Sequence, residues 1–167
     1  ALEAPTDIEL SPDPDSDYIG YVNVEDGQSD ADGAIWTGTA WQNAANIDIT
    51  ADTVGASTKN ISSAWVRSGS QSRMVVVYDD ANAAGIDWVF YNKNTNAWSP
   101  AQTDYTGAPA AVGTDDKLIR VYANPYRHNE AMILQVDNAR DLFLKKIKFN
   151  GTTFSFVTTE TGGVVYE

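Results

Sequence analysis

The chain has 167 residues, with 23 Asp and Glu against 11 Lys and Arg, and a formal net charge of −12. Such acidity argues against nucleic acid or an anionic membrane as partner, because phosphate is held by a surplus of Lys and Arg. A hydrophobic content of 43% with five Trp, eight Tyr and five Phe excludes a disordered acidic tail, and the length suits one domain, 1–167, around a single sizeable core.

Strand signals follow one another along the chain in three groups of four. The first group is Asp7–Leu10, Tyr18–Val24, Gly33–Trp36 and Ala40–Asn43. The second is Ile61–Val66, Met74–Tyr78, Ile86–Tyr91 and Ala97–Gln102. The third is Leu118–Ala123, Ala131–Val136, Leu142–Phe149 and Thr153–Thr158. Turn residues punctuate them: Pro12-Asp13-Pro14-Asp15, Ser68-Gly69-Ser70 and Asn124-Pro125. No window carries a sustained 3.6-residue apolar stripe with caps, so no helix is expected.

Two markers recur with one period. Trp36-Thr37-Gly38-Thr39-Ala40-Trp41 and Phe149-Asn150-Gly151-Thr152-Thr153-Phe154 share the pattern aromatic, X, Gly, Thr, X, aromatic. Tyr91 to Trp98 is the same idea with a loop two residues longer, and Trp41, Trp98 and Phe154 are 57 and 56 residues apart. Tyr21, Tyr78 and Leu134, each in an apolar run that leads into an acidic or Asn-bearing turn, keep the same spacing. The repeat units are therefore about 7–58, 59–112 and 113–162.

Twelve strands in three units predict an all-β fold of three four-stranded antiparallel blade-like repeats. Apolar strand, acidic turn and aromatic hairpin together resemble the blades of large secreted or surface-attached bacterial and archaeal repeat proteins of β-propeller type. That resemblance spans about Asp7 to Glu160 and implies an extracellular or cell-surface location. Propellers usually have four to eight blades, so three leave open edges. The expectation is a piece of a longer chain, a ring closed by two or more copies, or stacking into a sandwich or filament. Gly163-Val164-Val165-Tyr166-Glu167 reads as the start of another strand that could complete a blade or a neighbour's sheet.

Several groups could carry chemistry. Asp13, Asp15 and Asp17 alternate in a turn and could converge on one Ca²⁺, and Asp30 and Asp32 form a shorter version. The competing reading is a solvated acidic turn. Trp36, Trp41, Trp65, Trp88 and Trp98 offer flat faces for a sugar, although blade aromatics mostly pack sheet against sheet. Leu118-Ile119-Arg120-Val121-Tyr122-Ala123 also resembles a strand of small fucose-binding propeller lectins, which implies a sugar contact for Arg120. Asn60-Ile61-Ser62 and Asn150-Gly151-Thr152 are glycosylation sequons, and Asn-Gly is also a preferred hairpin turn.

An enzyme is not expected. The chain has no Cys, and its one His, His128, sits in a polar turn, so Cys nucleophiles and sites with two His ligands are excluded. The stretch Ser29 to Trp36 departs from the sialidase box, and no Gly-rich phosphate loop follows a strand. No apolar run approaches 18 residues, and Ala1 to Pro5 has no basic and apolar leader pattern. The expected function is a non-catalytic extracellular module for binding or assembly, with itself, with further repeats or with glycans as partner. The alternatives are a carbohydrate-binding lectin and, further off, a glycoside hydrolase fragment.

The charge has a location. Residues 1–58 hold 12 acidic residues and no Lys or Arg, whereas 59–167 hold 11 of each sign. The first unit is therefore strongly anionic and needs cations, solvent or a basic neighbour such as Lys145, Lys146 and Lys148 of another copy.

Overall fold

A computed structural model describes residues 5–25, 31–46, 61–79, 86–100, 118–136 and 142–157. Their regular structure is entirely β. Sheet I is β1 (Pro5–Pro12), β2 (Ile19–Glu25), β3 (Ala31–Trp36) and β4 (Trp41–Asn46). Sheet II is β5 (Ile61–Ser68), β6 (Gln71–Asp79), β7 (Ile86–Asn92) and β8 (Ala97–Trp98). Sheet III is β9 (Leu118–Ala123), β10 (Glu130–Val136), β11 (Leu142–Phe149) and β12 (Phe154–Val157). Each sheet is an antiparallel meander in chain order. The fold is all-β with three four-stranded blade-like repeats, and the sheets do not close into a ring.

The fourth strand of sheet II is shorter than its sequence suggests. Ser99 N–H donates to the Phe90 carbonyl, and the Ser99 hydroxyl accepts from Phe90 N–H. A side chain thus replaces a backbone acceptor, and Pro100, which has no N–H, cannot extend the ladder.

The aromatic hairpin motif has a direct structural meaning. Its two aromatics are cross-strand partners in every unit: Trp36 with Trp41, Tyr91 with Trp98, and Phe149 with Phe154. Ring centroids lie 5.8, 5.4 and 4.9 Å apart. The intervening Gly supplies the positive φ of the turn, 90° at Gly38 and 102° at Gly151. The longer middle loop reaches the same reversal through Asn96, at φ 54°.

The second marker needs correction in the third unit. Tyr21 and Tyr78 lie on the face of their sheet that carries the hairpin aromatics. Leu134 lies on the opposite face, half-buried between the buried Ile133 and Gln135. Residue spacing ignores turn length, and a slip of one residue reverses a strand side chain.

Sheet II is the middle layer. Met74 to Tyr78 are all buried because alternate side chains enter different cores. Met74, Val76 and Tyr78 meet Val22, Val24 and Ile35 of sheet I. Val75 and Val77 meet Ile119, Ile133 and Ile147 of sheet III. A strand buried on both faces reads as a continuous apolar run, as this one does.

The first strands of the three sheets lie side by side, β5 between β1 and β9. Their edges would expose unpaired backbone groups, and polar side chains satisfy several of them. The Glu9 carboxylate accepts from Ser63 N–H at 2.7 Å and from the Ser62 hydroxyl at 3.2 Å. Ser11 donates to the Ser63 carbonyl at 3.0 Å, and Val121 N–H donates to the Ser62 hydroxyl at 3.0 Å. Glu9→Ala leaves the buried Ser63 N–H without its carboxylate partner, at an expected loss of about 1–3 kcal/mol. A shift of the urea midpoint too small to resolve would show that water replaces the carboxylate fully.

Candidate functional site

In sheets II and III the face bearing the hairpin aromatics packs on the preceding sheet; we call it the leading face. Tyr91 belongs to the core shared with sheet I, and Trp98 packs against that core. Phe149 belongs to the core shared with sheet II, and Phe154 packs on Trp88 with ring centroids 5.4 Å apart. In sheet I the equivalent pair, Trp36 and Trp41, faces away from sheet II. The register puts Ile8, Leu10, Ile19, Tyr21 and Ala34 on that same face. No sheet covers it among the described residues. Ile8, Leu10 and Trp41 are 53%, 59% and 53% exposed, and Tyr21 meets Trp41 edge to face at 6.1 Å. Large apolar side chains gathered on one exposed face mark an interaction surface.

Sheet III ends the stack with the reverse, or trailing, face. Leu118, Arg120 and Tyr122 of β9 lie beside Met132, Leu134 and Val136 of β10 and Leu142, Leu144, Lys146 and Lys148 of β11. Tyr122 is 59% exposed. Lys146 reaches the buried Glu130 at 3.9 Å. This face is apolar in its middle and basic along one side.

A third feature is a cleft of ≈ 330 Å³ where the first turns of the three sheets meet, lined by Asp13, Trp65, Arg67, Ser72, Asn124 and His128 among others. Trp65 forms its wall and is fixed by donating Nε1–H to the Ser11 carbonyl at 2.8 Å. Arg67 pairs with Asp15 at 2.8 Å, an exposed bridge worth little. Ser72 Oγ is buried and has no hydrogen-bond partner among the described residues. His128 is exposed, and its carbonyl accepts from Arg67 N–H.

The residues singled out from sequence separate into distinct places. Asp13 is buried and accepts from Lys93 Nζ at 2.8 Å, Ser16 Oγ at 2.7 Å and Asp15 N–H at 3.2 Å. Lys93 also sits 4.4 Å from the Tyr18 ring centroid. Asp17 packs its Cβ beneath Gly38. Asp32 lies across from Asn23 on β2. Asp13 and Asp15 are thus bound to a lysine and an arginine, and the described residues contain no group of three His, Asp or Glu able to hold a metal. Asp30 and Asn60 lie outside the described residues, as do residues 163–167.

Trp88 and Trp98 are interface aromatics. Trp88 has Phe154 and Phe156 edge-on at 5.4 and 5.5 Å, and Trp98 packs on Tyr91. Arg120 donates Nη1–H to the carbonyls of Ile119 and Ile61, at 2.7 and 3.4 Å, and so ties β9 to β5. It lies outside the cleft and on a different sheet from Trp36 and Trp41. Asn150 closes its hairpin, accepting from Thr152 and Thr153 N–H at 2.9 Å. Sequence reasoning passed over Glu9, Ser62, Ser63 and Lys93. The available signal was polar residues interrupting apolar strands.

Two cations are buried in the second core. Arg73 lies 5.3 Å from the Phe149 ring centroid, and desolvation holds its pKa below the usual value. Burial pushes Lys145 down from 10.5 to about 8. Between those pH values the unfolded chain keeps a proton at Lys145 that the folded chain releases, so stability rises with pH through this window. The gain from pH 7.5 to 9.5 is on the order of 1–2 kcal/mol in urea unfolding, and Lys145→Met is expected to flatten it. An unchanged slope in that variant would assign the rise to other groups.

Searches of protein-family models and of curated proteins gave no match to this chain.

Proposed function

We propose that the chain is a non-catalytic β-repeat module of the cell exterior, of β-propeller type, that works by binding or assembly through its uncovered sheet faces. One observation carries this reading: Trp36 and Trp41 stand where Tyr91 with Trp98, and Phe149 with Phe154, pack on a neighbouring sheet, yet Trp41 is 53% exposed. A surface whose equivalents are interfaces in the same molecule is built to be covered. The test is binding of an apolar fluorescent dye and quenching of Trp41, compared between the parent and Leu10→Asp. Dye binding lost in the variant supports the reading. A parent that is monomeric, binds no dye and keeps Trp41 shielded counts against it.

A second reading, a sugar-binding module, is favoured by the cleft. It combines a Trp65 wall with Arg67, Asp15 and Asn124, and its volume is at the low end for small ligands. A glycan array separates the readings: binding abolished by Arg67→Ala but indifferent to Leu10→Asp selects the cleft.

A further inference from the structure

We infer that the occupant of the leading face of sheet I is the trailing face of sheet III from a second copy, so that two chains close head to tail into a ring of six sheets. This rests on the assembly reading above and names its partner.

The first support is internal. Sheet II packs on sheet I, and sheet III on sheet II, each time with a hairpin aromatic pair pressed against the sheet before. Only a trailing face meets a leading face in these two contacts. The two faces that no sheet covers among the described residues are of the same two kinds, and the same step repeated between copies matches them. Contact between two leading faces would be a different kind of interface from the two within the chain.

Charge supplies the second support. The unit carrying the leading face has no Lys or Arg, and the register puts Asp32 on that face beside Ala34 and Trp36. The trailing face carries Arg120, Lys146 and Lys148 around Leu134, Leu144 and Tyr122, with one carboxylate, the buried Glu130, beside Lys146. Opposite signs favour this pairing and disfavour either face against itself.

Area is the third. A four-stranded sheet with strands of about six residues presents a face of roughly 400 Å². A single contact would bury about 800 Å² in total, the scale of crystal packing, whereas a closed pair buries about 1,600 Å², the size of a stable interface. Contacts of this head-to-tail kind close into rings when the rotation permits, and six sheets fall within the range of four to eight blades.

The test is sedimentation velocity and native mass spectrometry of the full chain from 1 to 100 µM. The expected species has twice the 18.1 kDa chain mass. Leu10→Asp and Tyr122→Asp, both at exposed positions that leave the two cores intact, should each weaken the dimer about 30-fold or more. Raising NaCl from 0.05 to 0.5 M should weaken it as well. A dimer broken by Leu10→Asp but indifferent to Tyr122→Asp overturns the inference in favour of two leading faces in contact. A monomer throughout also overturns it. If that monomer still shows dye binding lost in Leu10→Asp, the assembly reading survives with a different partner; without it, both fall.

Discussion

Trp65→Ala is expected to lower the unfolding free energy by about 3–5 kcal/mol, the range for truncating a large aromatic in a packed core. Trp65 is 4% exposed on β5 and joins sheets I and II. Tyr18 and Tyr91 meet its ring edge to face at 6.5 and 6.2 Å. Its indole N–H also satisfies the Ser11 carbonyl on the innermost strand of the neighbouring sheet. Truncation therefore opens a cavity and leaves a buried acceptor without its donor. Trp65→Phe separates the two effects, because it keeps most of the volume and loses only the hydrogen bond. It should cost about 1–3 kcal/mol. Equilibrium urea unfolding by circular dichroism measures both. A loss under about 1 kcal/mol for the alanine variant would mean that sheets I and II are not held together at this residue.

Gly20→Val is the second. A Cβ at Gly20 would stand 1.8 Å from Met74 Sδ and 2.7 Å from its Cε. Glycine is used here because the thioether of sheet II packs directly on the backbone of sheet I. Met74 is flexible, but it is fully buried, and Trp65 and Tyr91 are its partners on the strands to either side. Relief must come from a shift of the Met74 side chain within its packed surroundings or from separation of the two sheets. Overpacking of this kind costs about 1–3 kcal/mol for a single added methyl, so Gly20→Ala should fall in that range and Gly20→Val at or above its top. The mechanism is checked by combining Gly20→Ala with Met74→Ala. The double variant should recover at least about 1 kcal/mol relative to the sum of the two single changes. Strict additivity would show that the clash is relieved elsewhere.

Much of the architecture was legible because local rules decided it. All twelve strands stand where alternation and turn residues put them, and the aromatic-X-Gly-Thr-X-aromatic hairpins pair as the motif implies. The continuous run Met74 to Tyr78 reads as a strand, and its burial on both faces came only with the order of the sheets. What stayed hidden depends on partners distant in the chain. Asp13 reads as a cation ligand until Lys93, 80 residues on, is seen to bind it. Trp36, Trp88 and Trp98 are alike in sequence, and only the order of the sheets decides that Trp88 and Trp98 pack inside while Trp36 lies on the outward face. The misplacement of Leu134 has the same root. Counting residues fixes a period but not a face, since turn lengths differ between units while the two faces of a strand alternate at every residue.

The burial of sheet II on both faces also governs how such a chain tolerates a change in its number of units. Removing sheet I or sheet III would give up one shared core and leave the other pair packed. Removing sheet II would destroy both cores at once and bring together two faces that were never matched to each other. Counting only the interfaces within one chain, whole units can be gained or lost at the ends with one internal interface at stake and in the middle with two. Variation in length among proteins built from this unit should therefore concentrate at the ends of the array, and the sequence of a middle unit should be the more constrained on its two apolar faces.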